Sequence, residues 1–363
     1  MSNTVDSRLQ TRDSQHGQDQ KERFFIVRQT ARFIALVALL SFAGFLSITD
    51  AQTTPASNRP QNSLLAALPA SDAIATVKVR RVFDEALPKF FSGNSAKLAE
   101  VNTRIEQFKT RTGLDPRSFD ELALGLRYTH PAPGVTKVGT VGIARGTFSP
   151  EAIAEAGKAA AAGTYRQDKH QGKTIHVFTM NEHLRVFGIT DLKIRELAVA
   201  QLDAHTLALG DLERVRTTLG QRRGAQRANA ELMSLITEDP NSIVSFGGNI
   251  TPAVIESLKI GNDAIATDLA AVRQIYGSVG LDEKNLDMLL AARTVNADSA
   301  RNLNDTVESL RQFGAIFVNQ MSSTKGALAR SALGNLKITR QGNEIQMRTA
   351  VAQADLAPLV GGR

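Results

Sequence analysis

The stretch FKTRTGLDPRSFDEL at residues 108–122 is matched by IYGSVGLDEKNLDML at residues 275–289, at a constant offset of 167 positions. Both stretches contain Gly-Leu-Asp, which ends at Asp115 in the first and at Asp282 in the second, and both have a second aspartate five positions further on. Chance rarely produces this spacing together with matching flanks. The sequence therefore predicts two similar halves that arose by internal duplication.

Amphipathic helices are predicted where apolar residues recur at steps of three and four. The helix before the first copy has Leu98, Val101, Ile105 and Phe108 on one side, and the helix before the second has Ile265, Leu269, Val272 and Tyr276. A long helix over residues 299–321 has a stripe that we expect to face the core, made of Leu303, Val307, Leu310, Phe317 and Met321. Its counterpart in the first half is an alanine-rich helix that Ser149 caps.

Short strands and hairpin turns complete each half. Residues 74–79 and 242–246 are predicted strands, and turns are predicted at Gln171-Gly172 and Gln341-Gly342 because glycine supplies the positive φ that a two-residue loop needs. Thr206-Leu207-Ala208-Leu209 is a further predicted strand. We expect Asp211 to cap the helix that follows this strand.

Each half thus has the order strand, helix, helix, strand, helix, hairpin, which predicts an α+β fold of mainly antiparallel sheets backed by helices. We place the first repeat at residues 64–220, a connection at 221–238 and the second repeat at 239–363. Residues 52–63, QTTPASNRPQNS, are polar and contain proline, and they are predicted to form a flexible linker.

An uncharged apolar run, FIALVALLSFAGFLSI, occupies residues 33–48. The basic residues nearest before it are Lys21, Arg23, Arg28 and Arg32. As a helix the run would rise about 24 Å, short of the roughly 30 Å hydrocarbon core of a bilayer. This length favours a signal peptide cleaved after Ala51 over a single-span anchor, although an apolar patch at residues 24–27 leaves the anchor open. In both cases the rest of the chain is exported, to the periplasm or cell envelope.

Composition excludes several kinds of chemistry. The chain has no cysteine, which removes disulfides, thiol catalysis and cysteine-ligated metals. Without residues 1–51, 37 Lys and Arg stand against 31 Asp and Glu, a net charge of +6. For an exported protein this mild excess favours anionic envelope polymers or lipid headgroups as partners, and nucleic acid is not expected. The lack of Trp also disfavours a carbohydrate-binding surface.

The duplicated carboxylates are the strongest candidates for a shared site: Asp115, Asp120, Asp282 and Asp287. Two such pairs meeting across a twofold axis could bind a metal or share a proton. Asp115 and Asp282, however, each follow a glycine that could end one helix and stand where an N-cap would begin the next. We therefore predict that they cap helices, and we expect no metal site and no cofactor.

Other catalytic motifs are weak. Ser322-Ser323-Thr324-Lys325 fits the Ser-x-x-Lys of penicillin-recognising serine enzymes, but the accompanying Lys-Thr-Gly is missing. Gly172-Lys173-Thr174 resembles the end of a phosphate-binding loop, but a hairpin has no helix N-terminus to offer a phosphate. The histidines beyond the signal lack ligand spacing on a helix: His130, His170, His176, His183 and His205. A turn at Gln171-Gly172 pairs His170 with Lys173 and His176 with Gln167.

The segment LAALPASDAIATV at residues 65–77 has a leucine-proline and an aspartate before the first strand. Leu207-Ala208-Leu209-Gly210-Asp211 leads into a helix further along. In these motifs residues 64–220 resemble a group of uncharacterised exported bacterial proteins. That group has no assigned activity and no defined catalytic residues, so the resemblance implies export and assigns no site.

Two classes of function follow. The first is an exported, non-enzymatic envelope protein that acts by binding or scaffolding. The second is a hydrolase or transferase whose dispersed active site lies between the two halves and includes Asp115 and Asp282. For the first class, the basic cluster Arg222, Arg223 and Arg227 is the predicted site for an anionic polymer or lipid headgroup. The sequence leaves the oligomeric state open.

Overall fold

The computed structural model describes residues 62–112, 115–132, 135–160, 165–186, 190–220, 230–236, 239, 241–257, 261–282, 284–320 and 324–352. The predicted signal or anchor and nearly all of the predicted linker lie outside these residues. So does most of the predicted connection at 221–238.

Twelve strands run through this part of the chain. They are β1 Ala73–Val77, β2 Phe119–Ala132, β3 Val135–Gly146, β4 Tyr165–His170, β5 Lys173–Val186, β6 Thr190–Asp203, β7 Thr206–Gly210, β8 Ser242–Asn249, β9 Val272–Leu281, β10 Asn285–Thr294, β11 Lys337–Gln341 and β12 Glu344–Ala352. They form one antiparallel sheet in the order β11-β12-β10-β9-β8-β1-β2-β3-β7-β6-β5-β4, so β4 and β11 are the outermost strands.

The helices of the same residues pack on this sheet. They are α1 Asn62–Leu65, α2 Val79–Arg81, α3 Leu87–Phe90, α4 Ser95–Thr112, α5 Pro150–Ala160, α6 Leu212–Gly220, α7 Ala230–Ile236, α8 Pro252–Ser257, α9 Asp263–Ala270, α10 Ala297–Asn319 and α11 Thr324–Gly334. A π-helical turn at Val82–Ala86 joins α2 to α3, and a 3₁₀ turn at Pro116–Ser118 precedes β2. The predicted α+β fold, an antiparallel sheet backed by helices, is confirmed.

Both faces of the sheet are covered, because successive residues of a strand point to opposite faces. In β1, Ile74 packs into a core that includes residues of α1, α6 and α7. Val77 points the other way, into a core that includes residues of α2 and α11. Helix α5 extends the cover of this second face over β5 through Phe178, and α10 covers it near β12 through Leu303.

The centre of the sheet joins the first half of the chain to the second. Strand β1 pairs with β2 on one side, where Ala75 faces Leu124, and with β8 on the other, where Ala75 faces Phe246. Each pairing is antiparallel and extends over the five residues of β1. The two predicted repeats therefore share one sheet.

The predicted register of the duplication is wrong. Asp115 precedes β2 and Asp282 precedes β10, so an offset of 167 positions sets β2 against β10. In the sheet, however, β2 is the neighbour of β1, whereas the neighbour of β8 is β9 and not β10. The helix predicted through Tyr276 also ends early, because α9 stops at Ala270 and β9 begins at Val272. Gly277 allows β9 to lie close to β10, since a Cβ at this position would collide with the carbonyl oxygen of Leu289 on β10.

Of the other local predictions, the two hairpin turns and the Ser149 cap are confirmed, and the Asp211 cap is wrong. The Gln171-Gly172 turn joins β4 to β5 with both residues at positive φ, 47° and 76°, as a two-residue hairpin loop requires. Gly342, at φ 57°, serves the turn between β11 and β12. The amide of Ala152 donates to the Ser149 hydroxyl, so Ser149 caps α5. Asp211 does not cap α6 with its side chain, which accepts hydrogen bonds from Thr140 instead.

Candidate functional site

The predicted basic cluster lies outside the described residues. Arg222, Arg223 and Arg227 fall within the segment 221–229, which separates α6 from α7. Ser322 and Ser323 of the Ser-x-x-Lys motif are likewise outside. The structure therefore leaves the proposed anionic site of the three arginines a prediction.

Asp115 has the capping role predicted from the sequence. Its Oδ1 accepts a hydrogen bond of 2.9 Å from the backbone amide of Arg117, at the start of the 3₁₀ turn. Its Oδ2 forms an ion pair of 2.8 Å with Lys109. Burial opposes ionisation, but these two hydrogen bonds hold the pKa of Asp115 below its ordinary value. The neighbouring Asp120 forms an ion pair with Arg80.

Asp282 stabilises the turn between two strands, at a place where the sequence predicted the start of a helix. Its Oδ1 accepts from the amides of Lys284, at 2.6 Å, and Asn285, at 2.5 Å, in the turn between β9 and β10. Residues 285–294 are strand β10, so the predicted second helix is absent there. Asp115 and Asp282 therefore contact different segments of the chain. These contacts do not bring the two carboxylates together in one site.

Asp287, on β10, differs in its protonation from Asp282. Burial, together with the negative charge of Asp282 beside it, raises the pKa of Asp287 to about 6. Asp282 itself is stabilised as an anion by the amides of the turn, which keep its pKa low in spite of partial burial. Below about pH 6 the pair therefore carries one proton, on the Asp287 side.

A group of charged side chains lies near α2: Lys78, Arg81, Glu85 and Glu121. Burial lowers the pKa of Lys78 and raises the pKa of Glu121, and their opposite charges favour one another. Arg81 donates to Glu85 at 2.9 Å and to the carbonyl of Asn241 at 2.9 Å. The bond from Arg81 to Asn241 connects α2 to the residue before β8, so Arg81 has a structural role.

A second buried polar network joins β9, β10 and β12. The hydroxyl of Tyr276, a side chain only 2% exposed, donates to Glu344 Oε1 at 2.7 Å. Arg293 Nε donates to Glu344 Oε2 at 2.6 Å, and the Arg293 guanidinium lies 5.5 Å from the centre of the Tyr276 ring. Because Tyr276 of β9 and Arg293 of β10 both bond Glu344 of β12, this network links the three strands.

The histidine register predicted for the β4–β5 hairpin is confirmed. His170 pairs with Lys173, and His176 pairs with Gln167. The Nδ1 atom of His176 is 2.8 Å from the hydroxyl of Tyr165, a contact that the sequence did not reveal. Burial, with the nearby charge of Lys158, lowers the pKa of His176. Within the described residues, no group of three or more His, Asp or Glu side chains is arranged to hold a metal ion.

The largest departure from expectation is an exposed apolar surface on α10. Four side chains form it: Leu310, Phe313, Ile316 and Phe317, which are 50%, 73%, 61% and 67% exposed. Leu310 and Phe317 were predicted to face the core with Leu303. We refer to these four residues as the α10 apolar surface. In the sequence this surface is marked by a run from Gln312 to Thr324 that has no charged residue. This is the longest uncharged run between the start of α10 and the end of α11.

The two halves of α10 pack differently. In the N-terminal half, Ala300 and Leu303 are buried against Val272 and Ile345 of the sheet. In the C-terminal half the neighbour is α11, whose Leu333 approaches Gly314 and whose Arg330 donates to the Val318 carbonyl at 3.0 Å. Helix α11 therefore covers the side of α10 that carries Gly314 and Val318, and the α10 apolar surface faces solvent.

Across the residues that the structure describes, no helix has both the length and the apolar character needed to span a bilayer. Helix α10 is long enough at 23 residues, but its N-terminal half is charged. Its apolar surface is a stripe along one side of a surface helix.

Comparison with known proteins gives a distant likeness of fold. No protein-family model matches the chain, and no curated protein matches it. Crystal form III of TP0453, a Treponema protein of uncharacterised function, has a TM-score of 0.43 and 10% identity, and the match covers 86% of this chain and 100% of TP0453. Crystal form I has a TM-score of 0.39 at 10% identity, covering 85% and 98% of the two chains.

Crystal form IV of TP0453 has a TM-score of 0.40 at 9% identity, covering 82% of this chain and 96% of TP0453. A likeness this distant carries no argument about function. The resemblance of residues 64–220 to uncharacterised exported bacterial proteins therefore has no support from a family.

Proposed function

We propose that this chain is exported and acts at the cell envelope by binding or scaffolding, without catalysis. The observation that carries the proposal is the α10 apolar surface, because a contiguous set of large exposed apolar side chains is typical of an interaction site. The polar side chains that were candidates for catalysis instead stabilise turns and link strands. Asp115 and Asp282 are engaged by backbone amides, and Glu344 is engaged by Tyr276 and Arg293.

Export is supported by the apolar run at residues 33–48 and the basic residues before it. We propose a periplasmic or envelope location, with cleavage after Ala51 preferred to a retained anchor. Fractionation of cells that express the full chain tests the location, and N-terminal sequencing of the recovered protein tests the cleavage. We expect an envelope or periplasmic chain beginning at Gln52. An intact envelope chain would establish the anchor instead, and a cytoplasmic chain would refute export.

A second candidate function rests on the pair Asp282 and Asp287. Two carboxylates with divergent pKa values are a common device for proton transfer in hydrolases and transferases. In this alternative the pair would belong to a dispersed site between the two halves. An activity found in substrate screening would have to be lost in both Asp287→Asn and Asp282→Asn with the fold intact, since a stability effect alone would leave the pair structural.

The basic cluster Arg222, Arg223 and Arg227 is proposed as a further contact for an anionic envelope polymer or lipid headgroup. Its binding should be dominated by charge and should weaken as salt is added, because the Debye length is only about 8 Å at physiological ionic strength. Co-sedimentation with cell-wall material over a salt series tests this, with all three arginines changed to Ser as the comparison. Binding that is unaffected by salt or by the triple change would refute the proposal.

We also propose that the two halves derive from a duplicated unit, in a register different from the one the motif suggested. The support is the shared order β1-β2-β3 and β8-β9-β10 on either side of the β1–β8 pair. In this register β2 corresponds to β9, and the Gly-Leu-Asp motifs do not correspond. The outer parts differ, because four strands follow β3 in the first half and two follow β10 in the second.

A further inference from the structure

We propose that the α10 apolar surface docks on an anionic lipid bilayer, where it lies in the interface between headgroups and acyl chains. The inference deepens the proposed binding function and rests on the export of the chain. It names the occupant of the surface, which the sequence analysis did not.

The shape of the surface fits an interface better than a span. Leu310, Phe313 and Phe317 follow one another at steps of three and four, with Ile316 beside them, so they form one stripe on the helix. An adjoining side of this half of the helix packs on α11 through Gly314 and Val318. A helix with one apolar side lies along a membrane with that side about 5–10 Å into the headgroup and acyl boundary.

The charge of the surrounding sequence identifies the kind of lipid. From Ser309 to Asn343 the chain has no Asp or Glu, and it has five basic residues: Arg311, Lys325, Arg330, Lys337 and Arg340. Arg311 is paired with Glu308, which ends this segment. The chain from Ser309 to Asn343, which carries the apolar surface, is therefore positive as a whole, and a positive segment is attracted to a membrane that contains anionic lipids.

The size of the surface argues against a second copy as the occupant. Two Phe, one Ile and one Leu at these exposures present roughly 500 Å² of apolar area. A stable interface between two proteins buries about 800 Å² on each partner. The α10 apolar surface falls short of that area. A bilayer needs no complementary protein surface around the stripe.

Labelling at single sites tests the docking in the full chain. The N-terminal apolar run would itself bind vesicles, so sedimentation of the full chain cannot report on α10. Because the sequence has no cysteine, Phe313→Cys creates a unique site for an environment-sensitive fluorophore. The matched control is Asn302→Cys, which is exposed in the N-terminal half of the same helix. Vesicles of phosphatidylglycerol and phosphatidylcholine carry a nitroxide quencher on the acyl chain.

We expect the label at position 313 to shift to the blue and to be quenched severalfold more than the label at position 302. The difference should be smaller on vesicles of phosphatidylcholine alone. Equal, water-like signals at both positions in vesicle-bound chain would overturn the docking. Equal quenching at position 313 on both kinds of vesicle would overturn the anionic preference.

A pyrene label at position 313 separates lipid from a second copy. Excimer emission in the absence of lipid would show that two α10 surfaces meet, and it would overturn the proposal. Failure here is distinguishable from failure of the proposed function. An exported chain with a hydrated label at position 313 refutes the docking alone, whereas a cytoplasmic chain refutes export whatever the vesicles show.

Discussion

At the residue scale, the carboxylates of the β9–β10 turn give the chain a specific dependence on pH. The pKa of Asp287 is about 6 in the folded chain, against about 3.9 for an aspartate in an unfolded one. Between these values the folded state binds more protons than the unfolded state, so stability falls as the pH rises from about 4 to 6. The loss continues as the pH rises through the folded pKa and is complete by about pH 7.

Asp287→Asn should remove this loss. Relative to the wild-type chain, the variant is expected to gain free energy of unfolding as the pH is raised from about 4 to 7. Urea denaturation across that range measures the difference, and NMR titration of the Asp287 carboxyl group measures the pKa directly. Parallel pH curves for the two proteins would contradict the prediction.

Asp115 and Asp282 should each contribute to stability through the amides they accept from. Asp115→Ala and Asp282→Ala are each expected to lower the free energy of unfolding by about 1 kcal/mol, the usual effect of losing a cap or a side-chain hydrogen bond. Asp282→Asn keeps an acceptor oxygen for Lys284 and Asn285 and should cost less. Chemical denaturation decides, and wild-type stability in both alanine variants would refute the capping role.

At the element scale, the two halves of α10 should respond differently to the same kind of substitution. Leu303 is 3% exposed and Phe313 is 73% exposed. Leu303→Ala should therefore cost about 2–5 kcal/mol, as deletion of a buried leucine does, while Phe313→Ala should change the free energy of unfolding by less than about 0.5 kcal/mol. Equal losses in denaturation experiments would mean that the apolar surface of α10 is covered in solution.

The same helix shows how far the sequence could predict the structure. The period of three and four located α4 and α10 correctly, because part of each predicted stripe is buried: Ile105 and Phe108 in α4, and Leu303 in α10. The period could not show where the sheet ends under α10, so Leu310 and Phe317 were assigned to the core. That error concealed the surface on which the proposed function depends.

The prediction of a helix in place of β9 was wrong for a different reason. Val272 and Tyr276 fit a helical step of four, but they also fit the alternation of a strand. Their β-branched and aromatic side chains favour the strand. The deciding facts were long-range: Gly277 must lie close to the backbone of Leu289 on β10. Only the tertiary pairing could supply that contact. The predicted Gly-Leu-Asp register failed with it, because it required a helix where β9 and β10 form a hairpin.

At the scale of the whole molecule, the β1–β8 pairing should hold the two halves together without a covalent link. A protease site introduced between residues 221 and 229 allows the folded chain to be cut between α6 and α7. We expect the two pieces to elute together in size-exclusion chromatography under native conditions. The reason is that β1 is paired along its length on both sides and buries Ile74 and Val77.

Urea should then separate the pieces in the same transition that unfolds the uncut chain. The uncut chain with the same inserted site is the control. Pieces that separate on cutting would show that residues 64–220 and 239–363 are independent domains, as the sequence boundaries alone would allow.

The outermost strands of this open sheet have a consequence for crowding at a surface. An unpaired strand edge is a template on which another chain can add a strand, and lysine or arginine on the edge opposes such growth. Strand β11 exposes Lys337 and Arg340, and β4, at the opposite edge, exposes Arg166 and Lys169. Adding a neighbour's β4 to β11 would bring basic side chains of the two strands together, so copies of the chain at high concentration should remain separate molecules and should not join their sheets into a fibre.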